Sequence, residues 1–162
     1  MLKWLWISLV VVILDQYTKY LATEQLVLHQ PVPIMPLLNF TLMHNEGAAF
    51  SFLSDAGGWQ RWFFTVVALI LGVVIFFWIK KLGKTAFWRT IALCLILGGA
   101  IGNVWDRIQL GYVVDFIQVY YRSWAWPTFN VADSAISIGV VMIVLEMIRE
   151  MRQEHKQSKL GT

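Results

Sequence analysis

Two aspartates lie in apolar surroundings, where a carboxylate needs an explanation. Asp115 stands between Val114 and Phe116, and Asp133 follows Ala132 at the start of a long apolar run. Two carboxyl groups held about 3 Å apart do not both ionise easily and tend to share a proton. One can then act as general base towards water while the other protonates a scissile carbonyl or a leaving amine. If the fold brings the two aspartates together, they suit peptide hydrolysis without a metal or a covalent intermediate.

Asp133 also has a purely structural interpretation. Asn130 is a good helix N-cap, and an acid three residues later complements the positive end of the helix dipole. No such interpretation covers Asp115, which lies outside any predicted helix start. The two interpretations of Asp133 therefore stay open at the level of sequence.

Other hydrolytic mechanisms lack their residues. His29, His44 and His155 are dispersed, and the chain contains no HExxH motif for a zinc protease and no G-x-S-x-G motif for a serine nucleophile. Cys94 lies between leucines within an apolar run and is interpreted as a packing residue. We therefore expect no metal and no other cofactor.

Further polar residues stand where apolar ones are expected. A charged side chain deep in a bilayer costs about 2.5–3.5 kcal/mol, so each needs a reason. Asp15 and Lys19, four residues apart, form either an ion pair that offsets its own burial, with Lys19 reaching outward, or a pair that orients a nearby site. Asn103 and Arg107 share one helix face and need partners, for which carboxylates are the obvious choice.

The composition requires these residues to be placed by membrane helices. Of the 162 residues, 58% are hydrophobic and 14% are charged, against about 25% charged in soluble domains, which excludes a soluble enzyme and a disordered chain. Four apolar segments reach the roughly 20 residues that cross a bilayer, at 4–21, 62–79, 86–105 and 131–148. No A-x-A-like site follows the first segment, so we expect it to be retained and not cleaved as a signal peptide. Residues 1–162 are predicted to form a single membrane domain.

Two loops join the predicted spans on one side of the membrane, over residues 22–61 and 106–130. Alternating apolar residues at Leu38–Met43 predict a short strand, and Asn45–Gly47 predict a turn after it. A second strand-like piece lies at Tyr112–Val119. The predicted fold class is an α-helical integral membrane protein with four transmembrane helices, a small β-like extracytoplasmic platform and a second extracytoplasmic loop.

The basic residues predict the orientation. Nine of the 13 Lys and Arg residues lie on the side that holds both termini and the link between the second and third spans. Cytoplasmic loops are enriched in these residues, so both termini and the tail 149–162 are predicted to be cytoplasmic. The net charge of +3 then reflects topology, and no nucleic-acid partner is expected. With this orientation the unusual polar residues of the three spans that carry them converge on one layer at the outer interface, and the span 62–79 carries no charge.

Five motifs in this chain resemble those of the bacterial lipoprotein signal peptidase family, also called signal peptidase II or prolipoprotein signal peptidase. They occur in the order of the family and on four spans of its topology. The motifs are Asp15–Lys19, Asn45–Phe50, Gly98–Arg107, Gly111–Phe116 and Phe129–Asp133.

The resemblance implies an intramembrane aspartic endopeptidase of the bacterial inner membrane, with its active site near the periplasmic face. Such an enzyme removes signal peptides from diacylglyceryl-modified prolipoproteins and cuts before the lipidated cysteine. The implied partners are lipidated prolipoproteins, membrane lipids and globomycin-type inhibitors. The implied catalytic residues are Asp115 and Asp133, and the implied substrate-binding or supporting residues are Asn45, Asn103, Arg107, Asn130, Asp15 and Lys19.

Two other classes of protein also use intramembrane polar residues. In a proton- or ion-coupled carrier Asp15, Asp115 and Asp133 would form a relay, but the charges occupy one layer and the chain shows no internal repeat. A non-enzymatic scaffold would pack through the GxxxG face of Gly98 and Gly102, which leaves Asp115 unexplained.

Overall fold

The fold is described from a computed structural model, which covers residues 1–47, 59–83 and 85–160. Within these residues four helices are long and apolar enough to cross a membrane. A short 3-10 turn at Leu2–Leu5 leads into the first of them. The helices are α1 (Trp6–Gln25), α2 (Trp59–Lys81), α3 (Phe87–Gln109) and α4 (Val131–Leu160).

The strands form one antiparallel sheet in the order β1-β2-β3-β4. The predicted strand at Leu38–Met43 and the strand-like piece at Tyr112–Val119 are both confirmed, and they pair with each other, so the two predicted loops share one platform. The predicted fold class, four membrane helices with a small sheet, is confirmed. The strands are β1 (Val32–Met35), β2 (Leu38–Asn45), β3 (Val113–Tyr121) and β4 (Trp124–Ala125).

Helix α3 lies at the centre of the bundle and packs against the other three helices. Its glycines allow this, because a Cβ at Gly98 would lie 2.8 Å from the backbone oxygen of Ser8, and one at Gly102 would lie 2.6 Å from Oδ2 of Asp15. The GxxxG face predicted from sequence therefore packs against α1. Two further glycines, Gly99 and Gly139, give the same close approach between α3 and α4.

Gly139→Ala is expected to destabilise the protein by about 1–3 kcal/mol, the usual range for an overpacked interior. The added Cβ would lie 2.6 Å from the backbone oxygen of Ala92, which cannot move without shifting α3. Gly72→Ala is the matched control, since its Cβ would meet only the Leu97 side chain at 3.6 Å. Thermal unfolding in detergent measures both, and equal unfolding temperatures would contradict the close α3–α4 approach.

The two ends of the bundle differ. At the end opposite the sheet, Arg89 on α3 donates from Nε to Glu146 at 2.9 Å and from Nη2 to Glu150 at 2.8 Å, which ties α3 to α4. Cys94 is fully buried in a cluster with Ile79 and Leu93, as its packing interpretation predicts. At this end of the bundle α4 continues as helix to Leu160, through most of the segment 149–162 that the sequence predicts only as a polar tail.

Candidate active site

Asp115 is fully buried on β3, with 1% of its surface exposed. Its Oδ2 accepts a hydrogen bond from Nδ2 of Asn45 at 2.9 Å, and its Oδ1 accepts one from Nδ2 of Asn130 at 2.7 Å. Asn45 stands on β2 in register with the neighbourhood of Asp115, since Met43 pairs with Asp115 and Asn45 with Val113. The β2–β3 pairing is therefore what presents an amide to this carboxyl group.

The pKa of Asp115 is raised from 3.8 to about 7, first because burial disfavours the charged form and second because Asp133 carries a like charge nearby. The hydrogen bonds from Asn45 and Asn130 and the charge of Lys19 act in the opposite direction. A carboxyl group with a pKa in this range can take up and release a proton near neutral pH, which suits general acid–base chemistry.

Asp133 lies in the first turn of α4. Its Oδ1 accepts a hydrogen bond from Nδ2 of Asn103 at 2.8 Å, and its Oδ2 accepts one from the backbone N–H of Asn130 at 3.3 Å. In return, the backbone N–H of Asp133 donates to Oδ1 of Asn130 at 2.9 Å. Asn130 is thus the N-cap expected from sequence, and it also touches both aspartates.

The supporting pair Asp15 and Lys19 forms the predicted ion pair, at 2.8 Å. The alternative in which Lys19 reaches out to water is wrong, because its side chain is only 4% exposed. Its Nζ instead donates a hydrogen bond to Oδ1 of Asn103 at 3.0 Å, and Asn103 in turn donates to Asp133.

Arg107 is buried on α3 and makes no direct ion pair with a carboxylate among the residues that the structure describes, although Asp133, Asp115 and Asp106 lie close enough to interact with its charge. It donates from Nη2 to the backbone oxygen of Gly47 at 3.0 Å, and its guanidinium carbon lies 5.9 Å from the ring centre of Phe64. The segment after Gly47 includes Ala48–Phe50 of the second motif, which lie outside the described residues.

Asp106 and Gln16 also belong to this network, although neither was predicted as a site residue. Asp106 is buried and forms a second ion pair with Lys19 at 2.8 Å, and Nε2 of Gln16 donates to Oδ1 of Asp106 at 2.8 Å. A signal existed, since Asp106 follows Asn103 by three residues and so shares its helix face. Asp106 lies within the motif Gly98–Arg107 and Gln16 within the motif Asp15–Lys19, but the resemblance assigned neither residue a role.

A cavity of about 570 Å³ opens beside Asp133. A smaller one of about 250 Å³ reaches Asp115, and Asn45 and the segment 126–128 line both. The larger cavity is polar where the site residues face it and apolar further along α4. It is lined by Asn45, Asn103, Arg107, Val113, Trp126, Pro127, Thr128, Phe129, Asp133, Ser134, Ile136, Ser137 and Ile138.

The structure thus brings all eight residues singled out from sequence into one hydrogen-bonded network at the sheet end of the bundle. In the described part of the chain, no group of three or more His, Cys, Asp or Glu side chains is arranged to hold a metal ion. The site itself holds one buried carboxyl group, Asp115, and one half-buried carboxyl group, Asp133, both of them beside a cavity. Four helices that are long and apolar enough to cross a membrane, with this polar site at one end of their bundle, define a multi-pass membrane protein.

Comparison with known proteins gives the family. The family model described as Signal peptidase (SPase) II matches residues 7–149. The chain therefore belongs to the signal peptidase II family, a family of proteases, as the resemblance predicted.

Individual relatives agree with this assignment. The lipoprotein signal peptidase of Teredinibacter turnerae is 54% identical over 91% of this chain and 88% of its own length. That of Acinetobacter baumannii strain ATCC 17978 is 50% identical over 97% of this chain and 89% of its own. A bacterial membrane enzyme solved by the in meso method at 2.3 Å superposes with a TM-score of 0.83, at 31% identity over 93% of this chain and 90% of that one. The protein is a multi-pass bacterial membrane protein.

Proposed function

We propose that this protein is an intramembrane aspartic endopeptidase that removes signal peptides from diacylglyceryl-modified prolipoproteins and cuts before the lipidated cysteine. The name of its relatives, lipoprotein signal peptidase, supports the substrate class. The observation that carries the aspartic mechanism is the double contact of Asn130, which donates from Nδ2 to Asp115 and from its backbone N–H to Asp133.

In this proposal Asp115 and Asp133 share one proton. The ionised carboxylate takes a proton from water, whose oxygen attacks the carbonyl carbon before the cysteine, while the protonated carboxyl group donates to the carbonyl oxygen. The tetrahedral intermediate then collapses: as the carbonyl re-forms, one of its hydroxyl groups gives a proton to the ionised carboxylate of the Asp115–Asp133 dyad. The C–N bond breaks and the leaving nitrogen takes up the proton of the other, protonated carboxyl group, so the dyad again holds one shared proton. Asn45 and Asn103 keep the two carboxyl groups oriented through bonds of 2.9 and 2.8 Å.

The cavity suits a substrate that is itself an apolar helix with a lipid beyond the cut. Arg107 and Asn103 at its polar end are placed to meet the peptide backbone, and Ile136 and Ile138 provide the apolar wall. Globomycin-type inhibitors are expected to occupy the same cavity. The platform and the segment 126–128 would clamp the lipidated segment from the outer side.

The proposed location is the bacterial inner (cytoplasmic) membrane, with both termini cytoplasmic and the active site near the periplasmic face. The site and the sheet share one end of the bundle, and the opposite end carries Lys80, Lys81 and Arg149. Basic residues favour the cytoplasmic side, which leaves the site on the other.

The test is cleavage of a purified lipidated precursor by the purified protein, read as a gel shift. Expected is a shortened product from the lipidated precursor and none from the same precursor without its diacylglyceryl group. A carrier or a scaffold yields no product from either. Absence of product from the lipidated precursor would refute the proposal, and equal cleavage of both would refute the substrate class.

The pH dependence follows from the pKa of Asp115, about 7. Cleavage is expected to fall above about pH 7, tenfold per pH unit, because the shared proton is lost. The free energy of unfolding changes between about pH 4 and pH 7, because the pKa of Asp115 is raised from 3.8 to about 7 on folding. The protonated Asp115 side chain therefore stabilises the folded state at low pH, and this contribution is lost as the pH rises to about 7. Rates and thermal unfolding measured from pH 4 to 9 separate the two effects, and a rate that stays constant to pH 9 would contradict the shared proton.

A further inference from the structure

A buried cluster of three charges lies between α1 and α3 and has no part in the mechanism above. The charge cluster consists of Asp15, Lys19 and Asp106, and Nζ of Lys19 lies 2.8 Å from Oδ2 of each carboxylate. All three side chains are buried, and none of them is among the described residues that line the cavity. A buried ion pair is weak evidence for stability, so the cluster calls for another explanation.

Each carboxylate of the cluster also accepts a hydrogen bond from one backbone N–H, and each of these N–H groups belongs to the residue before one aspartate of the dyad. Oδ1 of Asp15 accepts from the backbone N–H of Ala132 at 2.9 Å, and Oδ2 of Asp106 accepts from that of Val114 at 3.1 Å. Ala132 and Val114 are the residues immediately before the two proposed catalytic aspartates. The cluster thus holds the backbone of β3 next to Asp115 and the backbone of α4 next to Asp133 by the same kind of hydrogen bond.

We propose that Asp106 is a positioning residue, which acts through Lys19 and Asp15 to fix the two aspartates of the dyad relative to each other. This inference rests on the proposed function. Both carboxylates bind the same Nζ of Lys19, so the backbone at Val114 and the backbone at Ala132 are joined through one continuous set of contacts. A shift of β3 relative to α4 would have to break one of these contacts. Lys19 adds a second route, since it donates to Asn103, which donates to Asp133.

The cluster also contributes to the electrostatic field at the dyad, beside the charge of Asp133 on Asp115 and the charge of Arg107 that faces both aspartates. The charge of Lys19 lowers the pKa of Asp115 against the effect of burial. The two carboxylates next to Lys19 reduce that field, and charges in a partly desolvated site interact over several ångströms. Removing the cation and removing one anion should therefore move the titration of Asp115 in opposite directions, although both changes loosen the same contact.

The experiment compares Lys19→Met, Asp106→Asn and the double variant, which keeps the net charge of the cluster. Each single variant is expected to lower kcat by about 100-fold, the usual cost of a misplaced catalytic group, with KM within about twofold. The alkaline limb of the pH–rate profile is expected to move up for Lys19→Met and down for Asp106→Asn, and to return towards the original position in the double variant.

Ser8→Ala is the matched control, because it removes a buried α1–α3 hydrogen bond of 2.7 Å to the oxygen of Cys94, far from the dyad. It should leave kcat and the pH profile unchanged. If Lys19→Met does not fold, the direction in which the alkaline limb of the pH–rate profile moves in Asp106→Asn tests the positioning role alone. Limbs that do not move, or move in the same direction, would overturn the positioning role. Activity in Asp115→Asn or Asp133→Asn would instead overturn the proposed function.

Discussion

Asp115→Asn and Asp133→Asn are each expected to lower precursor cleavage by about 1,000-fold or more, within the range that a positioned acid or base contributes. An amide has nearly the volume of a carboxyl group but neither takes up nor releases a proton at neutral pH. The measurement is the initial rate of product formation from the lipidated precursor in detergent, at equal concentrations of folded protein.

Both variants should remain folded. Each position is already surrounded by amides, at 2.7 and 2.9 Å from Asp115 and 2.8 Å from Asp133, so one donor loses its acceptor in each case. Such a loss costs about 1–3 kcal/mol. Glu46→Gln is the control, because this exposed acid adjoins Asn45 but has no place in the network. A wild-type rate in either Asp variant would refute the dyad.

Asn130→Ala is expected to reduce both stability and activity. It removes the helix cap, worth about 0.5–2 kcal/mol, and leaves Asp115 without its 2.7 Å donor. Without that Nδ2 bond only the backbone N–H of residue 130 still contacts Asp133, so the double contact that relates the two carboxyl groups is broken and we expect cleavage to fall by about 100-fold. Thermal unfolding and initial rates measure the two losses.

Asn130→Ser separates these losses. Serine keeps an oxygen that can accept from the backbone N–H of Asp133, and so it retains the cap. Its side chain is too short to bridge to Asp115 as the amide does. Stability should therefore recover most of the way towards that of the original protein, while activity stays low. If activity recovers together with stability, Asn130 is only a cap and the bridge has no role.

The membrane helices could be predicted because their signal is local. An apolar run of about 20 residues has few alternatives in lipid, and the basic residues add the predicted orientation. The ends of the helices were harder to predict from the sequence. Helix α3 extends to Gln109 and α4 to Leu160, through stretches too polar to be recognised as membrane spans. The strands showed their alternation, but the pairing of β2 with β3 joins segments about 75 residues apart and leaves no local signal.

The site residues could be picked out because a polar residue among apolar ones is conspicuous. Their grouping followed from topology, which puts the outer helix ends and both loops in one layer. Individual partners did not follow: Lys19 turns inward to Asp106, and Arg107 binds the backbone of Gly47 where a carboxylate was expected. Such choices depend on side-chain positions within an ångström, and sequence spacing does not define these. The catalytic roles themselves stay predictions.

Helix α4 has 30 residues and is therefore about 45 Å long, some 15 Å more than a hydrocarbon core. With its first turn at the site, its last three turns extend beyond the length that the hydrocarbon core can cover. Arg149, Arg152 and Lys156 are exposed there. A dye or affinity label attached beyond these residues would thus lie outside the lipid, at the opposite end of the helix from the site.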